Sequence, residues 1–366
     1  MKEIKTIIAA YNTIDFSTTK AALATIVRVE GSSYRRTGAR MLVLDNGNYL
    51  GGISGGCLEG DALRRAQKAI VQDKPSVITY DTTQDDGAQI GVGLGCNGII
   101  DVLFIPLHGS SENNPVQLLS ALTGTREPRA VVCITSCNEI NLLGQTIVYE
   151  NDIQFSNIFP AKKIAPDVLN DIHRCLHKQS SAAIIYEETG MKIFIEVLLP
   201  VTHLLLFGGN YDVYPLVRCA RELGWDVTVI MNLQKADKSL FAAGAKVIDN
   251  KSGEQPLTDG YTAAVLMAHD YKTDLSNLQQ VLKKNGRYIG LLGPRKRSQK
   301  MFDAMMQEGK PVNETDMQRI FSPAGLDIGA ATPEEIALSI CAEIRSVFAN
   351  RNGKSLRLRE GTIYDN

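Results

Sequence analysis

Short apolar runs alternate with helix-like stretches through the last third of the chain, and this is the clearest periodic signal in the sequence. Leu204 to Phe207, Val227 to Met231, Lys246 to Ile248, Ala263 to Met267 and Tyr288 to Leu292 are runs of the kind that form buried strands. Between them, Tyr214 to Leu223 and Thr273 to Lys284 have helical spacing. Such alternation predicts βαβ units around a parallel sheet. A final helix is expected to start at Thr332-Pro333-Glu334-Glu335, a capping box with proline at the first helical position, and to run through Phe348.

The first 107 residues mix both periods. Ala22 to Val29 and Met41 to Leu44 are β-rich, and Asp45-Asn46-Gly47-Asn48 carries the Asn-Gly signal of a tight hairpin. The next strand leads into Gly51-Gly52-Ile53-Ser54-Gly55-Gly56-Cys57-Leu58-Glu59-Gly60-Asp61, and Ala62 to Val71 then reads as a helix. A second glycine-rich segment, residues 91–98, precedes the apolar run Ile99 to Ile105. Residues 108–118 are polar and read as a linker. Beyond them Val131 to Thr135, Gln145 to Tyr149, Ala182 to Tyr186 and Lys192 to Leu198 predict strands, with a helix over Pro166 to His177. The expected fold is α/β: a mixed N-terminal domain over residues 1–200, with 119–200 a small α/β completion or insert, then a Rossmann-like parallel-sheet domain over 201–366.

The length of 366 residues suits two or three domains that fold without disulfide help. Lys plus Arg number 39 and Asp plus Glu 40, a net charge of -1, which argues against nucleic acid or an anionic membrane surface as the partner. The N-terminus lacks a signal-peptide pattern and no uncharged apolar run approaches the span of a bilayer, so a cytoplasmic protein is expected. Seven scattered cysteines include no C-x-x-C pair, so neither a disulfide framework nor a zinc ribbon is suggested. Cys133 and Cys137, the nearest pair, read as filler.

Several clusters carry candidate chemistry. Gly208-Gly209-Asn210-Tyr211-Asp212-Val213 stands after a strand and before a helix, where a phosphate-binding turn belongs. Its letters depart from the fingerprint at Asn210 and Val213, and Met231-Asn232 ends the next strand without an acid for an adenosine ribose. NAD(P) binding and a plain tight turn both remain open on this reading. In Gly55-Gly56-Cys57-Leu58-Glu59 the glycines let backbone amides approach a ligand, and a thiol at a helix start has its thiolate favoured. Cys57 is therefore a candidate nucleophile or soft-metal ligand, or else a small buried cysteine, and Cys96 between Gly95 and Asn97 has a similar setting. Arg35-Arg36-Thr37-Gly38-Ala39-Arg40 offers arginines for a phosphate or carboxylate, Arg36 and Arg40 among them, or is a solvated loop. Arg295, Lys296 and Arg297 follow a strand at a helix start, where cations oppose the dipole and an anionic ligand or acidic partner would explain them. His269 follows a strand at the carboxyl edge, where it is an acid, base, ligand or hydrogen-bonded structural residue. Asp327, ahead of the last helix, is expected to orient its loop.

Taken together, Val29-Glu30-Gly31-Ser32-Ser33, Gly38-Ala39-Arg40-Met41, Ser54 to Asp61, Gly93-Leu94-Gly95-Cys96, Leu291 to Arg295, Gly325 to Ala330 and Thr332 to Ala337 resemble the XdhC/CoxI family of xanthine dehydrogenase accessory proteins. The resemblance covers residues 20–107 and 203–350. It implies a non-catalytic chaperone that binds the molybdopterin form of the molybdenum cofactor, protects it while a cysteine desulfurase installs its terminal sulfur, and delivers it to a xanthine dehydrogenase-type molybdoenzyme. On this reading Cys57 is the first residue for cofactor and metal contact and Cys96 the second, with Gly55, Gly56, Glu59, Arg36 and Arg40 around them. Gly208, Gly209, Asn210, His269, Arg295 and Arg297 are the candidates of the second domain. The chain departs from the family at Tyr34 and Thr37, where prolines are usual, and at Asn210-Tyr211, where the family has Gly-His. The competing readings are an NAD(P)-dependent oxidoreductase and a docking subunit without a ligand of its own. A homodimer is expected in any of these cases.

Overall fold

The computed structural model describes residues 1–81, 83, 98–109, 114–360 and 363, and the chain divides into two compact units, Met1–Pro200 and Val201–Asn366.

The first unit opens with α1 (Lys2–Tyr11), β1 (Ala21–Gly31), β2 (Arg40–Leu44), β3 (Tyr49–Gly51), α2 (Glu59–Gln72), β4 (Ser76–Asp81) and β5 (Gly98–Leu107). Its strands form an antiparallel sheet in the order β3-β2-β1-β5-β4, and the Asn-Gly hairpin sets Leu42 opposite Leu50. Then come α3 (Pro115–Leu122), β6 (Arg129–Ser136), β7 (Thr146–Val148), α4 (Asp152–Ile158), α5 (Ala165–Lys178), β8 (Ala182–Tyr186) and β9 (Met191–Leu198). A second antiparallel sheet results, ordered β7-β6-β9-β8.

Strand β1 is a near-continuous apolar run because both of its faces are covered. Ala22, Ala24 and Ile26 pack on Ala62, Ala66 and Ala69 of α2, whereas Val27 packs with Cys133 and Phe194 of the second sheet. The other face of that second sheet, Val132, Ile134, Ile193 and Ile195, packs on Phe155, Val168 and Ile172 from α4 and α5. The expected linker over 108–118 is shorter than its composition suggests. Asn114 caps α3, its side-chain oxygen accepting from the amides of Val116 (3.0 Å) and Gln117 (3.4 Å), with Pro115 in the first turn. The polar residue there is a helix start.

The second unit contains β10 (His203–Phe207), α6 (Val213–Glu222), β11 (Asp226–Met231), α7 (Lys238–Ala242), β12 (Lys246–Asp249), β13 (Thr262–Leu266) and α8 (Tyr271–Val281). It continues with β14 (Tyr288–Leu291), α9 (Arg295–Gln307), α10 (Glu314–Gln318), β15 (Ile320–Phe321) and α11 (Pro333–Phe348). All six strands are parallel, in the order β12-β11-β10-β13-β14-β15. This is the doubly wound order, and its reversal falls between β10 and β13. Leu204 and Leu206 pack towards α6 and α11, while Leu205 and Phe207 pack with residues of α8 and α9. The capping box forms: Thr332 Oγ1 accepts from the Glu335 amide, and Glu335 accepts from the Thr332 amide at 2.9 Å. Among the described residues no helix is long and apolar enough to cross a membrane.

Candidate functional site

In the first unit, the segment between β3 and α2 folds around two side chains. Ser54 Oγ accepts from the amides of Gly56 (3.2 Å) and Leu58 (3.0 Å). The Glu59 carboxylate accepts from the amides of Ser54 (2.8 Å) and Gly56 (3.0 Å) and from the Ser54 hydroxyl. Burial alone would raise the Glu59 pKa, but these hydrogen bonds outweigh it and hold the carboxyl below the ordinary 4.5. The Glu59 side chain thus shapes the turn from beneath.

Gly56 is exposed among the described residues and has φ +111°, a conformation that side chains disfavour; a Cβ built on it would meet none of the described residues within 4 Å. A Cβ on Gly55 would lie 3.5 Å from the exposed ring of Tyr34. Cys57 is half-buried, with part of its side chain against the core under α2. It stands two residues before the first helical residue rather than inside the first turn, with Leu58 at the cap.

The three arginines of the preceding loop separate. Arg40 is buried, its guanidinium bonded to Glu196 of β9 and to the Gly38 carbonyl (2.6 Å). Arg35 pairs with Glu3 of α1, which also accepts from the Arg40 amide at 2.9 Å. Arg40, expected from the sequence as an anion ligand, is thus buried beside Glu196. Arg36 is the exposed member of the three. Cys96 and most of its glycine-rich segment lie outside the described residues.

In the second unit, the candidates gather at the carboxyl edge where β10 and β13 diverge. Gly208 lets the two strand ends approach, since a Cβ there would lie 2.4 Å from the Met267 carbonyl oxygen. A Cβ on Gly209 would meet Met231 Cε at 2.5 Å, so the side chain that replaces the ribose-binding acid fills the space beside the turn. Asn210 receives the Val213 amide at its carbonyl (3.1 Å), and Tyr211 is exposed. His269 has φ +59°, an uncommon conformation for a non-glycine residue. Its Nε2 lies 2.6 Å from Asp212 Oδ2, across the reversal point. Asp212 is buried, and its Oδ1 has no hydrogen-bond partner. The pair can hold or pass a proton between a carboxylate and a half-exposed imidazole.

Beside it, Asp274 of α8 accepts from the Ala268 amide (3.1 Å) and from Arg297 (2.5 Å). Burial raises the Asp274 pKa despite the Ala268 amide and the Arg297 charge. Arg297 thus has a partner within the fold, and Arg295 and Lys296 are exposed. The loop of Asp327 is held by other residues. Gly325 N–H donates to Glu343 (2.8 Å), and Ser339 Oγ donates to the Leu326 carbonyl (2.6 Å). The sequence assigned no part in a site to Glu196, Ser54, Tyr34 or Asp274. Of these only Glu196 had a local signal, a charge inside the apolar run that forms β9.

Among the described residues no group of three or more His, Cys, Asp or Glu is placed to hold a metal ion. Comparison with known proteins gives a consistent picture. A model of the XdhC and CoxI family matches residues 17–81, and a model of the XdhC Rossmann domain matches residues 204–344. A Bacillus subtilis (strain 168) protein, named as a probable subunit of xanthine dehydrogenase, is 32% identical over 332 residues, 89% of this chain and 92% of its own. The molybdenum cofactor insertion chaperone PaoD of Escherichia coli (strain K12) is 24% identical over 327 residues, 89% of this chain and 83% of its own. A crystal structure described as a xanthine dehydrogenase from Bacillus halodurans superposes with a TM-score of 0.71 at 26% identity, covering 96% of this chain and 97% of that one.

Proposed function

The chain belongs to the XdhC and CoxI family, and from that premise we propose that it is a molybdenum cofactor insertion chaperone for a xanthine dehydrogenase-type molybdoenzyme. The observation that carries this reading is the likeness to PaoD along 89% of the chain, with no large part of either protein left over. In the finer form of the proposal the protein shelters the molybdopterin cofactor while a cysteine desulfurase supplies its terminal sulfur. It works in the cytoplasm, as a homodimer, without turnover of its own.

The turn before α2 fits such a ligand. Among the described residues nothing fills the space a Gly56 Cβ would take, so a group has room to approach the backbone there, and the Tyr34 ring offers a flat apolar surface beside Gly55. Arg36 is an exposed guanidinium suited to a phosphate, and the Cys57 thiol is a soft donor at the turn's edge. When bound, the cofactor brings the molybdenum redox chemistry that the client enzyme uses. The chain's own residues bind and orient it: Arg36 by charge, the glycine turn by close approach, Cys57 by its sulfur.

The test is pterin content. Protein purified from cells that make the cofactor is oxidised and its fluorescent pterin derivative quantified per chain, for the wild type and for Cys57→Ala. Near-stoichiometric pterin in the wild type and a severalfold loss in the variant are expected. Absence of pterin from the wild type under cofactor-replete conditions overturns the reading. Full retention by Cys57→Ala overturns the role of Cys57.

A further inference from the structure

Two cysteines that take no part in either candidate site meet in the second unit. Helices α6 and α11 pack on one another through Val213, Leu216, Val217 and Ala220 on one side and Ala337, Ile340, Cys341 and Ile344 on the other. Ala220 and Ala337 are fully buried small residues, so the two backbones come close. Cys341 sits in this seam, 1% exposed, in the cluster against which Cys219 of α6 packs, and the two thiols are near enough to interact. Cys219 is only half-buried, at the edge of the same cluster, and both thiols are free. No other pair of cysteines among the described residues is in such contact.

We propose that Cys219 and Cys341 are an oxidisable dithiol that closes to a disulfide when the protein meets a hydroperoxide. The partition of exposure sets the order of events. Cys219 is the thiol an oxidant can reach; its sulfur attacks the peroxide, the O–O bond breaks, an alcohol or water leaves, and Cys219 becomes a sulfenic acid. The Cys341 sulfur then attacks the sulfenic sulfur, the S–O bond breaks, and the oxygen leaves as water with the thiol proton. Two thiols lose two electrons and two protons, and the peroxide is reduced. Burial shields the Cys341 sulfur from oxidants in bulk water and leaves Cys219 as the sulfur beside it. The bond would tie α6, which starts directly after the Gly208–Asp212 turn, to the C-terminal helix α11.

The experiment uses the full chain, reduced and then exposed to hydrogen peroxide, alkylated under denaturing conditions, digested and analysed by mass spectrometry. One cross-linked peptide pair joining Cys219 to Cys341 is expected, cleaved by dithiothreitol, and Cys219→Ser should leave Cys341 fully alkylatable after peroxide. In Cys341→Ala, Cys219 should stop at the sulfenic acid and take a dimedone-type probe severalfold more than in the wild type. Equal probe labelling of both proteins overturns the proposal. So does Cys219 passing to sulfinic acid, or cross-linking only to a second chain, while Cys341 stays alkylatable.

Discussion

Arg40 and Glu196 provide a direct test of how the first unit holds the loop that precedes the glycine turn. The two residues are 4% and 6% exposed, on β2 of one sheet and β9 of the other, and Arg40 Nε has no partner even with the pair intact. A small cavity of about 30 Å³ between the sheets is lined by both, with Thr25, Cys133 and Thr146. Glu196→Ala would therefore leave a buried guanidinium without its counter-charge and enlarge that void. Removal of one partner of a buried pair costs about 3–5 kcal/mol, whereas apolar replacement of both is often close to neutral. With a urea m-value of about 2–3 kcal/mol per M, the single variant should lose about 1–2 M from the midpoint of the first unit's transition. The double variant Arg40→Met, Glu196→Leu should recover most of it. Far-UV circular dichroism follows both units, while the single tryptophan, Trp225, lies in the second and its fluorescence reports on that unit. A loss below about 1 kcal/mol in Glu196→Ala, or a double variant as unstable as the single, would refute the argument from desolvation.

Glu59→Gln should destabilise the turn by about 1 kcal/mol near neutral pH, as loss of a helix cap does, discounted for its partial exposure. Because the folded-state pKa of Glu59 lies below its ordinary 4.5, this contribution is present above that value and fades as pH falls through the folded pKa. The stability difference between wild type and variant, from urea melts at stepped pH, should thus shrink on acidification; a difference that grows would contradict it. Met231 against Gly209, with no acid at the end of β11, predicts that NADH fluorescence is unchanged on titration with the protein. Saturable quenching with a Kd below about 1 mM would show that Met231 yields to the nucleotide.

How much of this was legible in the sequence depends on the distance over which each feature is written. The parallel strands, the Asn-Gly hairpin and the Thr332 capping box are each encoded within a few residues, by period or by turn chemistry, and they form where expected. Asn114-Pro115 reads as a linker because a capping residue and a loop residue have the same composition; only the helix behind it distinguishes them. The pairs Arg40–Glu196, Asp212–His269 and Asp274–Arg297 join residues 156, 57 and 23 positions apart. No local period encodes such partners, so a run of arginines looks like one anion site although Arg35 pairs with Glu3 and Arg40 with Glu196 inside the fold.

The glycine turns at residues 55–56 and 208–209 look alike as sequence and differ in what their missing side chains are for. At Gly208 and Gly209 the space a Cβ would take is already filled, by the Met267 carbonyl and by Met231, so these glycines serve close packing of strand ends. At Gly56 none of the described residues takes that space, and the amides of Gly56 and Leu58 donate to Glu59 and Ser54. A turn braced from below and open above can admit a ligand without rearranging, whereas a turn packed on methionine must first expel it. That difference is why the proposed cofactor contact is assigned to Cys57. The second unit's edge then keeps a separate arrangement, a buried carboxylate aligned on a half-exposed imidazole.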